Sequence, residues 1–396
     1  MPSIKKGNLQ LMKEINTATI LNLLHRGDKL SRAEISSITR LSATTVSALV
    51  EELIASDMVE EVGERPMVGA GRRATALQIK ARGGYVVGIF LSNSSLICAV
   101  FNLHGEKIAE FKTGMVSGNE AMMEQIEKAL VSCLDDPNVK DCGSMKGIGI
   151  AAPGIIDEKG ETILYSSYLK LTNLALRDRL SSLYPDIPIQ IVNDSNAAAF
   201  AEQYKGIGED KSHLLYFTIN EGIGSGLILN KTIYSGYLGA SGEIGHIPVD
   251  PDGEVCACGR RGCIETVITS PYILKRCQQL ALTKEVAVPG TFEELLRRYN
   301  EGEDWLQPVF DKVLQVTTIM IASAVNFISP ETIVIEGWMK DSPSFMSMLT
   351  AELVRFPFPV PFSSERICPS SYQDDGALYG AATLMLQKIF KATSIA

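Results

Sequence analysis

Between Cys256 and Cys263 the chain reads CACGRRGC, three of its eight cysteines in the spacing C-x-C-x4-C. His246 lies ten residues before the first of them. Thiolates and a neutral imidazole are donors that suit tetrahedral zinc, so Cys256, Cys258, Cys263 and His246 read as a complete Cys3His ligand set. Four protein donors close the shell and leave no position for an activated water, so the zinc this spacing predicts is structural. Gly259 and Gly262 would let the loop fold around an ion. Three free thiols in a surface loop would instead be open to oxidation. The other cysteines, Cys98, Cys133, Cys142, Cys277 and Cys368, are scattered and read as small buried hydrophobes.

The rest of the chain sets the context for that cluster. A length of 396 residues suffices for two or three domains with a substantial core. Composition is that of an ordinary globular protein, and no run approaches the ~18 apolar residues of a membrane span. The N-terminus, MPSIKKGNLQLMKEIN, lacks an apolar signal-peptide region and a cleavage site. This implies the cytoplasm, where disulfides are rare and a tight cysteine cluster points to metal. Residues 1–82 hold 12 basic and 9 acidic residues, a balance of +3, which leaves 25 basic against 37 acidic, −12, for the remainder. A basic head on an acidic body suggests an N-terminal module that meets a polyanion.

That head has the pattern of a winged helix-turn-helix. TATILNLL, from Thr17, places apolar residues at helical spacing. Ser31 with Glu34 is a capping box that predicts a helix ending near Thr39–Arg40. Ser42 is a good N-cap for a second helix whose apolar stripe is Val46, Leu49, Val50, Leu53 and Ile54. Two helices joined by so short a turn form a DNA-reading motif. At the start of the second helix Ser42, Ala43, Thr44, Thr45 and Ser47 are small or hydroxyl-bearing, which allows close approach to bases and phosphates. MVEEV and ATALQI read as strands flanking a basic wing that carries Arg65, Arg72 and Arg73.

Beyond Gly83–Gly84 the pattern is mixed α/β. YVVGIFLSNSSLICAVFNLHGEKIAEF predicts an antiparallel meander, followed by a helix near residues 119–134. KGIGIAAPGIID is a buried strand that opens into a Gly/Pro loop, and IQIVNDSNAAAFAEQY is a strand entering a helix. For Asp194, at that junction, a helix N-cap is the plain reading. A second hairpin, HLLYFTINEGIGSGLILNKTIYSG, a helix–turn–strand run and a closing helix complete two sheet-and-helix halves.

Four stretches, GEIGHIPVDPDGEVCACGRRGCIE (242–265), VNDSNAAA (192–199), AAPGIID (151–157) and GIGSG (222–226), resemble the ROK family of sugar kinases and sugar-responsive repressors. The head is similar to that of its regulator branch, typified by the N-acetylglucosamine and xylose repressors. The resemblance covers nearly the whole chain. It implies a winged helix (1–82) followed by an actin-like, RNase H-like two-domain sugar-kinase fold. One subdomain would span 83–194, completed by a C-terminal helix (375–396), and the other, with the zinc loop, 195–374. It also implies sugar-contacting roles for Asn173, Asn193, Asp194, Glu243, His246 and Glu265. In kinases of the family the residue matching Asp194 is the general base. Leu171 stands where the family often has tryptophan.

The family's phosphate loops are not matched. FLSNSS (Phe90–Ser95) replaces a D-x-G-G-T-type turn. NEGIGSG puts Glu221 where phosphate would lie, and Trp338 in Glu336-Gly337-Trp338 is expected to fill nucleotide space. The resemblance therefore implies no kinase activity, with Asp194 a vestigial base. The expected protein is a sugar-responsive repressor that binds operator DNA as a homodimer or dimer of dimers and takes a sugar or sugar phosphate as effector. An active kinase with a DNA module, and a regulator controlled by a protein partner such as a sugar transporter, are the competing readings.

Overall fold

In the head, local capping places the helices where the sequence expects them. Helix α1 (Leu9–His25) is followed by a two-residue strand β1 (Leu30–Ser31), α2 (Arg32–Thr39) and α3 (Ala43–Ala55). The Ser31 hydroxyl accepts the Glu34 N–H at 3.3 Å, and the Glu34 carboxylate accepts the Ser31 N–H at 2.7 Å. Both halves of the capping box are therefore made. Ser42 caps α3 by accepting the Thr45 N–H at 3.1 Å. Val46, Leu49, Val50 and Leu53 are buried, and α3 packs against α2. Ile54, expected in the same stripe, is only half-buried. Strands β2 (Val59–Arg65) and β3 (Ala74–Ile79) pair antiparallel, and β1, which periodicity could not reveal, adds to β3 with Leu30 opposite Leu77. The computed structural model describes residues 9–25, 29–65, 74–360 and 362–390, so the expectation for Arg72 and Arg73 lies outside the described residues.

The meander follows as β4 (Gly84–Leu91), β5 (Ser95–Asn102) and β6 (Lys107–Gly114). Next come α4 (Asn119–Leu134), the short α5 (Pro137–Lys140) and β7 (Ser144–Ala152), which joins β4 in parallel. Strands β8 (Ile155–Ile156), β9 (Ile163–Ser166) and β10 (Leu171–Leu174) form a small sheet of their own. Helix α6 (Leu176–Leu183) and β11 (Ile189–Asn193) close the first sheet in the order β11-β7-β4-β5-β6. Val87, Ile89, Ile148 and Ile150 pack with Met122, Ile126 and Leu130 of α4 in one core.

The remaining elements build a second sheet. They are α7 (Asp194–Lys205), β12 (Leu214–Ile219), β13 (Ile223–Leu229), β14 (Thr232–Ile233), α8 (Glu265–Ile268), α9 (Ser270–Lys284) and α10 (Phe292–Asn300). Helix α11 (Gln307–Ile328), β15 (Thr332–Gly337), α12 (Pro343–Arg355), β16 (Ile367–Pro369) and α13 (Gly376–Phe390) complete the chain. The sheet order is β14-β13-β12-β15-β16, the same three-then-two plan as the first. The described residues fall into two compact units, divided at Val192/Asn193 and again inside α13 at Gly380/Ala381.

One helix bears on the expectation about membrane spans. Among the described residues the stretch Asp304–Ile328 is long and apolar enough to cross a bilayer, and half of it is buried. Its Phe310, Val313, Met320 and Ile321 belong to the core of the second unit.

Candidate metal centre and effector residues

The segment between β14 and α8 has little regular structure, and tight backbone contacts hold it in place. The Ser225 hydroxyl on β13 donates to the Gly242 carbonyl at 2.7 Å. Gly242 has φ 90, and a Cβ there would meet the Ser225 carbonyl oxygen at 2.5 Å. A single turn of 3-10 helix, Ile244–His246, follows. Pro248 then bridges to Cys263, and Val255 to Arg261. Gly262, at φ 63, lies where a Cβ would stand 1.5 Å from the Asp250 carbonyl oxygen, so only glycine closes this loop.

These contacts bring the four predicted ligands together, with their donor atoms all within 4.8 Å of one another. Cys256 Sγ lies 3.5 Å from His246 Nδ1, and Cys258 Sγ 3.6 Å from Cys263 Sγ. Zinc bonds of about 2.3 Å to sulfur and 2.0 Å to nitrogen put tetrahedral ligand atoms about 3.5–3.8 Å apart. The set therefore fits such an ion. Burial, reinforced by Cys258 and Cys256, pushes the Cys263 thiol up to about 12, so thiolates gathered here would need the charge of a bound cation. His246 turns Nδ1 to the thiols, while its Nε2 lies 3.8 Å from the Glu243 carboxylate. A carboxylate behind a ligating imidazole is the arrangement that fixes ring orientation at metal sites.

The acids around this cluster form a connected group within the second unit. Glu265 opens α8, is buried, and has an oxygen 3.8 Å from Cys256 Sγ. Burial holds the Glu243 carboxyl above its usual range, with His246 opposing and Glu265 adding. Asp194 is likewise raised, first by burial, with the Ser195 hydrogen bonds opposing and Glu243 adding a smaller push. Like-charged carboxylates held this way favour hydrogen-bonding partners that can donate as well as accept, as polyols do. The helix cap falls on Asn193 instead of Asp194. The Asn193 side-chain oxygen accepts the Ser195 and Asn196 N–H groups at 3.0 and 3.1 Å. Asp194 is the first helical residue, and its carboxylate accepts the Ser195 N–H at 2.8 Å.

Asn173 belongs to the first unit. It is exposed on β10 in the left-handed region, at φ 48. Its neighbour Thr172 is clamped on both backbone groups by Asn119: the Thr172 carbonyl accepts from Nδ2 at 2.9 Å and its N–H donates to Oδ1 at 3.3 Å. Sequence reasoning missed Asn119, because nothing local links two residues so far apart in the chain. Leu171 is fully buried in the core and contributes no pocket wall.

The three turns expected to have lost phosphate binding are now visible in detail. In the β4–β5 turn the Ser92 hydroxyl accepts the Ser94 and Ser95 N–H groups at 3.3 and 3.0 Å. A side chain of the protein itself thus occupies amides that would otherwise face an anion. Glu221 is exposed in the β12–β13 turn. Trp338 corrects the sequence expectation. Its indole is buried, donates to the Ile268 carbonyl at 3.0 Å and packs against Phe292, Phe310 and Phe345, so it fills core and not ligand space. Of the DNA-facing candidates, Ser42, Ala43 and Thr44 are exposed, and Thr45 and Ser47 are half-buried.

Comparison with known proteins agrees with this architecture. A putative xylose repressor of Caldicellulosiruptor sp. is 31% identical over 366 residues, 88% of each chain. The crystal structure of a ROK family transcriptional regulator, a homologue of the E. coli MLC protein, superposes with a TM-score of 0.82 at 22% identity, covering 96% of this chain and 98% of that one. A ROK family glucokinase from Streptomyces griseus superposes with a TM-score of 0.66 at 21% identity over 76% of this chain and 99% of its own. Both likenesses support the actin-like two-domain fold. The ROK family model matches residues 86–388, and the chain belongs to the ROK family.

Proposed function

We propose that this ROK protein is a transcriptional repressor whose hold on operator DNA is set by a sugar or sugar phosphate. The observation that carries the reading is the capped α2–α3 pair of the head, which presents Ser42, Ala43 and Thr44 to solvent. The name of the xylose repressor relative supports it. In this reading the protein works in the cytoplasm as a symmetric dimer, with one α3 in the major groove of each half-site. Wing residues Arg72 and Arg73 would contact backbone phosphates.

Within the second unit the effector would lie against Asn193, Asp194, Glu243, His246 and Glu265. His246, Cys256, Cys258 and Cys263 would hold one structural zinc, which supplies counter-charge and shape and no chemistry. Its effect is to fix Glu243 and Glu265 on either side of the cluster. Phosphoryl transfer depends on positioning and charge stabilisation at the phosphates. The occupied Ser94 and Ser95 amides and the exposed Glu221 therefore support a regulator over a kinase. Effector binding would change operator affinity through a coupling of typically ~1–3 kcal/mol.

The test has two arms on the full chain. Thr44→Glu with Thr45→Glu should abolish operator binding through phosphate repulsion and leave effector binding intact. Glu243→Ala should do the reverse, losing the effector's influence on DNA while keeping operator affinity. Robust formation of sugar phosphate from ATP and a panel of hexoses would make the protein a kinase and sink this reading.

A further inference from the structure

One charge in the head has no evident structural role. Between α2 and α3 the chain turns at Arg40, with φ 59 and ψ 21. This left-handed position after a helix ordinarily belongs to glycine or asparagine, because a Cβ there crowds the backbone. The turn does not depend on the arginine side chain for its shape. The Ser36 hydroxyl donates to the Leu41 carbonyl at 2.7 Å, and Thr39 Oγ1 accepts the Leu41 N–H at 3.3 Å. The Thr39 hydroxyl in turn donates to the Ile35 carbonyl at 2.7 Å.

Arg40 is exposed and makes no hydrogen bond or ion pair among the described residues. Three other cations of the head, by contrast, are tied down: Lys13 to Glu52, Arg32 to Glu61 and Lys80 to Asp57. A strained residue that persists without structural benefit points to function. Two residues later Ser42 caps α3, so Arg40 adjoins the residues that face DNA in the function proposed above.

We propose that Arg40 is a DNA contact, gripping a backbone phosphate beside the base pairs that α3 faces. This rests on the reading of α2–α3 as a DNA-reading pair. A guanidinium offers phosphate two parallel hydrogen bonds, and such contacts set register without reading sequence. The free energy of that contact offsets the backbone strain.

The experiment uses the full chain and two probes, the tightest duplex that the wild type recovers from a random-sequence library and an unselected random duplex. Arg40→Gly removes the charge and the strain together, and Arg40→Gln removes the charge alone. Both variants should bind both probes about tenfold more weakly, as for loss of one charged hydrogen-bond pair. The slope of log affinity against log salt should become shallower by about 0.9 for each phosphate that is no longer neutralised. Arg40→Gly should nevertheless melt at or above the wild-type temperature, a result that a purely structural role would not give. Wild-type affinity and slope in Arg40→Gly would overturn the proposal. A loss confined to the selected duplex would also overturn it, since Arg40 would then read a base. If the wild type enriches no duplex at all, the reading of α2–α3 itself fails, and Arg40 with it.

Discussion

The two five-stranded sheets share one strand order, yet the units built on them use charge differently. Among the described residues every buried charged side chain, Glu202, Glu265, Arg298 and Glu336, lies in the second unit. Buried polar residues of the first unit are neutral: Ser31, Asn102 and Ser166. Burying charge is costly unless it is paired, so a fold that does so repeatedly gives up stability for something else. The first unit is held by caps, an apolar stripe and continuous buried strands, all of which follow from ordinary propensity. The second holds buried Glu265 beside a thiol cluster and keeps the Glu243 and Asp194 carboxyls above their usual range, by burial first. Perturbing its chemistry should therefore cost more than perturbing any single local device in the first.

The largest effect should follow loss of the metal. The segment between β14 and α8 has almost no ladder of its own, so the proposed zinc would add to its few backbone contacts as a source of order. Metal analysis of protein prepared without added zinc should give about one equivalent. Chelation, or Cys263→Ser, should destabilise the second unit by something of order 5 kcal/mol, read as a drop in its melting temperature with the head amides still protected from exchange. Absence of metal, with all three cysteines freely alkylated in the folded protein, would show that the loop orders itself and would erase the contrast between the units.

A smaller effect should come from Glu336. It is 4% exposed at the end of β15, with one oxygen lacking any partner and the other accepting from Lys340 at 3.0 Å. Burial outweighs the lysine and pushes its carboxyl up to about 7 from 4.5. The protonated form is thus the one the fold prefers. Its contribution is fully present below about pH 4.5 and is lost as pH rises through 7, a change of roughly 3 kcal/mol. Glu336→Gln should be near neutral at pH 4 and stabilising at pH 8, measured by denaturant unfolding at each pH. Lys340 also donates to Asp374 at 2.9 Å, a partner that the variant leaves in place. Destabilisation at pH 8 would mean that the Lys340 pair outweighs burial, and that the second unit's acids are ordinary ion pairs.

What could be read in advance divides along the same line. Ser31, Glu34 and Ser42 announce their helices because a cap is a local interaction between residues three apart. The Cys3His set was legible because its spacing is a chemical signature in itself. The cap at Asn193 was misassigned to Asp194, since neighbouring Asn and Asp cap equally well and only backbone geometry separates them. Trp338 was misplaced because a turn sequence does not show whether the indole faces a cleft or Phe310 and Phe345. The Asn119 clamp on Thr172 and the strand β1 are long-range pairings, and no window of sequence contains both partners. The strain at Arg40 was hidden for a different reason, because φ is not written in residue type.

The smallest effect belongs to the head, and it tests whether the first unit rests on propensity alone. Ser31 is the N-cap of α2 and takes part in three hydrogen bonds with Glu34, two through its hydroxyl and one through its backbone N–H. Ser31→Ala removes the hydroxyl, taking the capping partner from the Glu34 N–H and one donor from the Glu34 carboxylate. Loss of an N-cap typically costs about 1 kcal/mol. The cost should be local, because α2 is short and exposes much of its surface, so its amides exchange by opening of the helix itself. Exchange of the α2 amides should accelerate about fivefold, with those of β4 and β5 unchanged. Glu34→Gln should recover part of the loss seen in Glu34→Ala, since an amide oxygen can still accept the Ser31 N–H. If Ser31→Ala instead lowered the stability of the whole first unit by several kcal/mol, the head would be an integral part of that unit's core. The contrast drawn between a locally ordered unit and a chemically ordered one would then fail on its own ground.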